Sequence, residues 1–239
     1  MKYPIKTDFL KAGTGRRPGT LIPGGKPRFI VLHDTGNPNS TAANNIGYYS
    51  RSLSMKAGAQ VFIDDKEIIE CIPVRSKPEK ARHVMYNRDR KTLGLGAAND
   101  YAIGLEMCFF PGNKSRSEEA YQRTVWYAAY IAKLYNMNIN NCLVGHEHLD
   151  PRRKVDSSTG LRATGRTYNQ MVADIKAIYH TNDGKGGAST PSTPSFNPAN
   201  TTNPGYVTIK VPSLNVRKGP GVNHPKVKEL KTRKLMESV

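Results

Sequence analysis

Short β-rich apolar runs alternate with segments of helical periodicity along the first 180 residues, and this alternation constrains the possible folds most. The runs are FIVLH (29–33), AQVFID (59–64), EIIECI (67–72), AIGLEMCFF (102–110) and CLVGH (142–146). The residues DDK between the second and third runs indicate a hairpin turn, so these two strands should pair antiparallel. Strands separated by helices otherwise pair in parallel. The sequence therefore predicts an α/β fold with a mixed central β-sheet flanked by helices.

Three segments have the spacing of amphipathic helices. The first spans Thr41–Ser50, with Ser40 as its expected cap. The second is expected to begin with Ser117 as N-cap and to carry Glu118–Glu119 in its first turn, where acidic side chains stabilise a helix. The third covers about Thr167–Tyr179, with Met171, Ile175 and Ile178 on one face.

The sequence carries a large positive charge, +17 at pH 7. Such a charge favours a polyanionic partner, whether nucleic acid, anionic lipid or an anionic cell-wall polymer. The sequence contains no zinc-finger spacing, no aromatic RNA-binding motif and no basic helix followed by heptads, so a nucleic-acid partner is not expected. No apolar run is long enough to span a membrane.

The amino terminus and the cysteines bear on the compartment. The first residues contain no apolar core of a signal peptide, which predicts synthesis in the cytoplasm without a signal peptide. Cys71, Cys108 and Cys142 lie in apolar stretches without paired spacing, so we expect buried thiols and a reducing compartment.

The segment HDTGN (33–37) permits two chemistries. Asp34 begins the Asp-Thr-Gly triplet of an aspartic protease, which needs a second carboxylate to share a proton. The chain contains one such triplet and its pattern is α/β, so the protease hypothesis is disfavoured. His33, by contrast, ends an apolar strand and can begin a metal site.

The metal hypothesis finds partners further along the chain. His146 ends its own apolar strand as His33 does, and Asp156 follows ten residues later, after a turn. Two imidazoles and a carboxylate leave a fourth tetrahedral position for water, which is the pattern of a catalytic zinc site. Spacing alone leaves open that these are two surface histidines and a loop aspartate.

LHDTGN, the strand AIGLE and the segment GHEHLDPRRKVD occur in an order that resembles the type 2 zinc-dependent N-acetylmuramoyl-L-alanine amidases. This family includes phage lysozyme-like amidases and animal peptidoglycan recognition proteins. The resemblance covers most of residues 25–180. It implies that His33, His146 and Asp156 are the ligands of a Zn²⁺ cofactor.

The resemblance also implies roles for other residues. Glu106 matches the general base, Lys154 matches the lysine that stabilises the oxyanion, and His83 matches a histidine of the substrate cleft. Arg82 replaces the tryptophan that the family usually has before this histidine. His148 stands where the family commonly has an acid; it could compete as a ligand, although a role outside the ligand set is favoured.

By this resemblance the chain is expected to be a peptidoglycan hydrolase that cleaves the amide between N-acetylmuramic acid and L-alanine. The expected setting is a phage or prophage endolysin that acts at the cell wall as a monomer. Bacterial peptidoglycan is the expected partner, with teichoic acid as a further anionic one. A non-catalytic module that binds peptidoglycan without cutting it is the alternative.

A change of composition divides the chain. Residues 181–204 are rich in Gly, Ser, Thr, Pro and Asn, which predicts a flexible linker between an amidase domain at 1–180 and a segment at 205–239. In that last segment, SLNVRKGP (213–220) resembles the core of bacterial SH3-like wall-binding domains. Alternating residues and the Gly-Pro turn predict a β-hairpin, and a disordered basic tail is the alternative.

Overall fold

The central element of the fold is a six-stranded sheet with the spatial order β1-β4-β3-β5-β2-β6. The computed structural model describes residues 2–86 and 94–181 with their side chains, and the backbone of two strands beyond them. The strands of the sheet are Ile5–Thr7 (β1), Phe29–Asp34 (β2), Val61–Ile63 (β3), Ile68–Glu70 (β4), Ala102–Met107 (β5) and Leu143–Gly145 (β6). Within this six-stranded sheet, only β3 and β4 pair antiparallel, and the other neighbouring strands are parallel. The predicted mixed sheet is confirmed.

Helices of very different length flank this sheet. They are Ala42–Arg51 (α1), Ala98–Tyr101 (α2), Lys114–Leu134 (α3), His146–Leu149 (α4), Ser158–Leu161 (α5) and Tyr168–His180 (α6). The three predicted helices correspond to α1, α3 and α6. The sequence did not predict the four-residue helices, because a single turn is too short to show a period. None of the described helices is long and apolar enough to cross a membrane.

The two faces of the sheet carry different helices. On β3, Val61 and Ile63 join the core that α3 and α6 cover, whereas Phe62 belongs to a second cluster with Ile46 of α1. This alternation follows from the pleat, which sends successive side chains to opposite faces. Strand β2, which lies between β5 and β6, is buried along its whole length, which explains the uninterrupted apolar sequence of its first four residues.

The β3–β4 turn and helix α1 depend on one carboxylate. Asp64 Oδ1 accepts hydrogen bonds from the backbone N–H groups of Lys66 and Glu67, at 2.7 and 2.8 Å. Its other oxygen accepts from the backbone N–H of Ala42, the first residue of α1, at 2.8 Å. A buried carboxylate thus satisfies a helix N-terminus and closes the hairpin turn that the DDK segment predicted.

Helix α3 begins earlier than the sequence indicated. Its N-cap is Asn113, whose side chain accepts from the backbone N–H of Arg116, and not Ser117. The Ser117 hydroxyl lies within the first turn and exchanges hydrogen bonds with the backbone of Phe110, at 3.0 and 3.1 Å. The predicted cap was therefore wrong, because tertiary contacts to the preceding loop engage the hydroxyl.

Capping boxes begin the other two long helices. Thr41, and not the predicted Ser40, is the N-cap of α1 and exchanges hydrogen bonds with Asn44. Thr167 and Gln170 form the equivalent pair at α6. In each pair the cap hydroxyl accepts the backbone N–H of the third helical residue, and the side chain of that residue accepts the backbone N–H of the cap. Two backbone donors are thus satisfied at once.

The three cysteines and the carboxyl-terminal strands complete the description. Cys71, Cys108 and Cys142 are free and buried, as predicted. The chain divides into two units at Gly186–Gly187. In the second unit, Ser213–Arg217 (β7) pairs antiparallel with Lys226–Lys231 (β8), as a β-hairpin requires. The predicted turn at Gly219-Pro220 and the proposed linker lie outside the described residues, and the resemblance to an SH3-like module stays a prediction.

Helix α3 is tied to the end of β4 by a buried carboxylate. Glu70, 2% exposed, accepts a hydrogen bond from the Tyr127 hydroxyl at 2.9 Å and from Arg75 Nε at 2.7 Å. Burial and the neighbouring Glu70 charge raise the pKa of Tyr127 well above its ordinary value. The hydroxyl therefore stays protonated and donates a hydrogen bond to Glu70.

We expect Glu70→Ala to lower the free energy of unfolding by about 2 kcal/mol, because the buried Tyr127 hydroxyl then loses its acceptor. Urea unfolding followed by circular dichroism measures the change. The matched control is Glu119→Ala, which removes a carboxylate that is 55% exposed on α3 and should cost about 0.5 kcal/mol or less. Equal losses in the two variants would contradict this role of Glu70.

Candidate metal centre

Two histidines meet where the neighbouring parallel strands β2 and β6 end. Leu32 of β2 lies opposite Gly145 of β6, so the next residues along each strand, His33 and His146, lie side by side. Their ring centroids are 4.6 Å apart and the ring planes cross at 70°. Both residues are buried, with 2% and 3% of their surfaces exposed. The structure brings together the two imidazoles that the sequence placed at strand ends.

Asp156 reaches both rings from the loop after α4. Its Oδ2 lies 3.0 Å from His33 Nδ1 and 2.8 Å from His146 Nδ1. Burial by itself would raise the pKa of this carboxyl, but the hydrogen bonds with His146 and His33 outweigh burial and hold the pKa well below its usual range. Asp156 is thus an anion that faces two imidazoles.

These three side chains fit a divalent metal ion. One potential ligand atom from each lies within 4.8 Å of the others. Burial lowers the pKa of His33 to about 4, so its ring is neutral at pH 7 and retains the lone pair that a metal requires. His146 Nε2 is buried and finds no hydrogen-bond partner among the described residues. Two imidazoles and one carboxylate are the donor set of catalytic zinc sites.

Glu106 lies beside the candidate ligands on the neighbouring strand β5. It is the register partner of His33 in the parallel β2–β5 ladder, and both residues line a cavity of about 260 Å³. Burial raises the pKa of Glu106 well above its ordinary value, and the charges of Asp156 and Asp34 raise it further. This environment is typical of a carboxyl group that exchanges a proton in catalysis.

Lys154 places a positive charge at the mouth of the same cavity. Its Nζ lies 3.8 Å from Asp156 Oδ1, and its side chain is 37% exposed. The positive charge opposes the rise in the pKa of Glu106. Lys154 is therefore the cation that balances the carboxylates around the cavity.

His83 lies against the other nitrogen of His33. Its Nδ1 is 3.0 Å from His33 Nε2, and its own Nε2 is buried without a hydrogen-bond partner in the described part of the chain. Asn99, which the sequence did not single out, accepts the His83 backbone N–H at 3.0 Å. A Cβ atom at Gly104 of β5 would lie 2.8 Å from the His83 ring, so glycine at this position gives the ring its space.

The Asp34 carboxylate is bound by the backbone. It is 5% exposed, and its two oxygens accept hydrogen bonds from the N–H groups of Gly36 at 3.0 Å and Gly160 at 2.7 Å. A Cβ at Gly160 would lie 2.7 Å from the Cβ of Asp34, so this close approach requires glycine. The aspartic protease hypothesis is therefore wrong; Asp34 anchors the segment that follows Asp156.

Glu147 anchors the same segment from the other side. Its backbone N–H donates to the carbonyl of Asp156 at 2.8 Å, and its carboxylate accepts from the Ser158 hydroxyl at 2.7 Å. The roles of Asp34 and Glu147 were not predicted, because Gly160 and Ser158, the partners that fix this segment, meet these acids only in the folded chain. The available signal was an acid directly after each candidate ligand histidine, Asp34 after His33 and Glu147 after His146.

His148 lies outside the group of candidate ligands. It is exposed, and its ring packs on Tyr168, with centroids 4.4 Å apart. Among the described residues, the metal-compatible group contains only His33, His146 and Asp156. This placement supports the preferred expectation for His148, a role outside the ligand set.

We expect Asp34→Ala to weaken the binding of a divalent metal ion by about 10- to 100-fold, because groups that orient metal ligands typically contribute this much to affinity. Competition with a chelating dye measures the dissociation constant, and circular dichroism verifies folding. Asp8→Ala, which removes an exposed aspartate, is the matched control and should bind as the wild type does. Unchanged affinity in Asp34→Ala would contradict the anchoring role.

Comparison with known proteins agrees with this geometry. The family model described as N-acetylmuramoyl-L-alanine amidase matches residues 23–159. Protein Ami of Listeria monocytogenes is 26% identical over 125 residues, which cover 49% of this chain and 11% of that protein. A bifunctional autolysin of Staphylococcus epidermidis is 27% identical over 145 residues, 56% of this chain and 10% of that protein. The chain therefore spans about a tenth of the length of these relatives.

Solved structures share the fold at low sequence identity. Staphylococcus aureus hydrolase AmiA, in complex with its ligand, aligns with a TM-score of 0.60 and 21% identity over 75% of this chain and 85% of that one. PlyL aligns with a TM-score of 0.56 and 21% identity over 73% of this chain and 98% of that one. The family match covers more than half of the 239 residues and includes every candidate ligand. The resemblance predicted from the motifs is confirmed, and the chain belongs to the N-acetylmuramoyl-L-alanine amidase family.

Proposed function

We propose that this chain hydrolyses the amide bond between N-acetylmuramic acid and L-alanine in bacterial peptidoglycan, with Zn²⁺ as its cofactor. One observation carries the proposal. Glu106, a buried carboxyl with a raised pKa, shares a cavity with the three-residue donor set, in a chain of the amidase family. A module that only binds peptidoglycan has no use for an acid-base group beside an open metal position.

The candidate ligands would hold the cofactor between strands β2 and β6. His33 and His146 offer imidazole nitrogens and Asp156 offers a carboxylate oxygen. When bound, Zn²⁺ supplies Lewis-acid chemistry, which lowers the pKa of water toward neutrality and polarises a carbonyl. Asp34 and Glu147 hold the Asp156 loop in place, so the donor set is organised before the metal arrives.

Glu106 would move the proton of the reaction. Its position beside His33 would let it accept a proton from the attacking water, and burial, which raises its pKa, makes it a stronger proton acceptor. The same carboxyl would then return the proton to the departing nitrogen of L-alanine. One residue would thus serve as base and then as acid.

Lys154 and His83 would act on the other sides of the substrate. The Lys154 ammonium at the cavity mouth would stabilise the negative charge that develops on the lactyl carbonyl oxygen. His83 would contact the substrate from the wall of the cavity that it shares with His33. Burial lowers the pKa of His83 well below the ordinary value, and the neighbouring imidazoles of His33 and His146 lower it further, so its ring is neutral.

The charge of the chain suits the bacterial wall. A net charge of +17 should draw the protein to teichoic acid and other anionic wall polymers, with an attraction that weakens as salt is added. We propose a monomeric wall-lytic enzyme of the endolysin type, in which residues 205–239 contribute a further wall contact.

Mass spectrometry of digested cell walls tests the proposed reaction. We expect new L-alanine amino termini and no new reducing ends, loss of activity when a chelator removes the metal, and recovery when Zn²⁺ is restored. New reducing ends would identify a glycosidase instead. Wall binding without any new terminus would identify a recognition module.

We expect Glu106→Gln to lower kcat by about 10²- to 10⁴-fold, because it removes the proton acceptor while keeping the shape of the side chain. Zn²⁺ affinity, measured by dye competition, should change little. Glu119→Gln, on the exposed surface of α3, is the matched control and should keep full activity. Retained activity in Glu106→Gln would exclude this residue as the base.

A further inference from the structure

A wide basic cleft opens beside the candidate metal centre. Its volume is about 870 Å³, and it shares His83, His146 and Lys154 with the smaller cavity. Because the two spaces share these walls, a substrate held at the metal centre would extend directly into the cleft. The cleft therefore bears on substrate choice.

Positive charge predominates along the described walls of this cleft. The cations are Lys56, Lys80, Arg82, Arg153 and Lys154, and the only acid among these described walls is Asp100. Three of the cations have carboxylate partners: Lys80 with Asp100 at 2.9 Å, Arg153 with Asp150 at 2.7 Å, and Lys154 with Asp156 at 3.8 Å. Lys56 and Arg82, both exposed, form no ion pair with any carboxylate of the described residues.

Lys56 and Arg82 are carried by segments that are fixed to each other. The backbone N–H of Gly58 donates to the carbonyl of Arg82 at 3.0 Å. Arg16, which is 3% exposed, donates to the carbonyl of Ala57 at 2.6 Å. A Cβ at Gly58 would lie 2.5 Å from the carbonyl oxygen of Arg16, so only glycine permits this contact. The backbone that carries Lys56 and Arg82 is therefore organised before substrate binds.

The chemistry of peptidoglycan decides which part of the substrate fits this cleft. On the glycan side of the scissile bond, N-acetylated sugars carry no charge. On the peptide side, the stem that follows L-alanine carries carboxyl groups, which are free acids in some walls and carboxamides in others. Guanidinium and ammonium groups bind carboxylates with charge-assisted hydrogen bonds, and a carboxamide loses this charge.

We propose that Lys56 and Arg82 form a carboxylate-binding subsite that makes the enzyme prefer acidic stem peptides over amidated ones. The inference rests on the proposed amidase function and adds a determinant of its substrate specificity. It also gives a role to Arg82 at the position where the family usually has tryptophan: a stacking surface is replaced by a charge.

Two soluble muramoyl peptides test the subsite; they differ only in whether the glutamate that follows L-alanine has a free carboxyl or a carboxamide. We expect the wild type to have an about tenfold higher kcat/KM for the acidic substrate, an effect between those of exposed and of desolvated charge pairs. Rising ionic strength should reduce this ratio. Arg82→Met and Lys56→Met should bring the ratio toward one, and Arg82→Lys should retain part of it.

The control and the contrary outcomes separate this inference from the proposed function. Lys26→Met, which removes an exposed cation outside the cleft, should keep the wild-type ratio. Equal kcat/KM for both substrates would overturn the subsite and leave the amidase function intact, whereas cleavage of neither would overturn both. In a further contrary outcome, Arg82→Met and Lys56→Met keep the wild-type ratio of kcat/KM for the acidic and amidated substrates while they lyse whole walls more slowly. That result would assign these cations to an anionic wall polymer and overturn the subsite.

Discussion

The parallel pairing of β2 with β5 on one side and β6 on the other is the interaction on which the site depends. The pairing with β5 places His33 opposite Glu106. The pairing of β2 with β6 ends at Leu32 and Gly145, so His33 and His146 each follow this last pair directly. Backbone hydrogen bonds thus decide which side chains leave the sheet at the same edge. Because β2 is buried between both neighbours, a slip in its register would cost the apolar core as well as the site.

The third member of the donor set is held by a different kind of contact. Asp156 lies on a loop that no strand orders, and the loop is fixed by Asp34 and Glu147 through backbone groups and the Ser158 hydroxyl. Several carboxyl groups consequently lie close together in a small cavity. Burial raises the pKa of Glu106, and the charges of Asp156 and Asp34 raise it further. The contacts that order the site therefore also tune its acid-base group.

Much of the fold was predictable because it depends on local patterns. Five apolar runs gave five of the six strands, and the helical periodicity gave α1, α3 and α6. The errors came where a tertiary contact competes with a local signal. Ser117 has the sequence context of an N-cap, yet its hydroxyl binds the backbone of Phe110, and Asn113 caps the helix instead. Strand β1 is only three residues long and acquires its order from pairing with β4.

The sequence by itself determined the chemical composition of the site, because imidazoles at strand ends, a carboxylate after a turn and the order of the motifs are all local features. Only the tertiary structure decided the geometry: the shared oxygen of Asp156, the ring of His83 over Gly104, and the cleft with two cations that pair with no carboxylate of the described residues. The physical reason is that hydrogen bonds and charge balance join residues that are far apart in the chain. The sequence shows which charged and polar groups are present, but it does not show which of them form ion pairs or hydrogen bonds with one another.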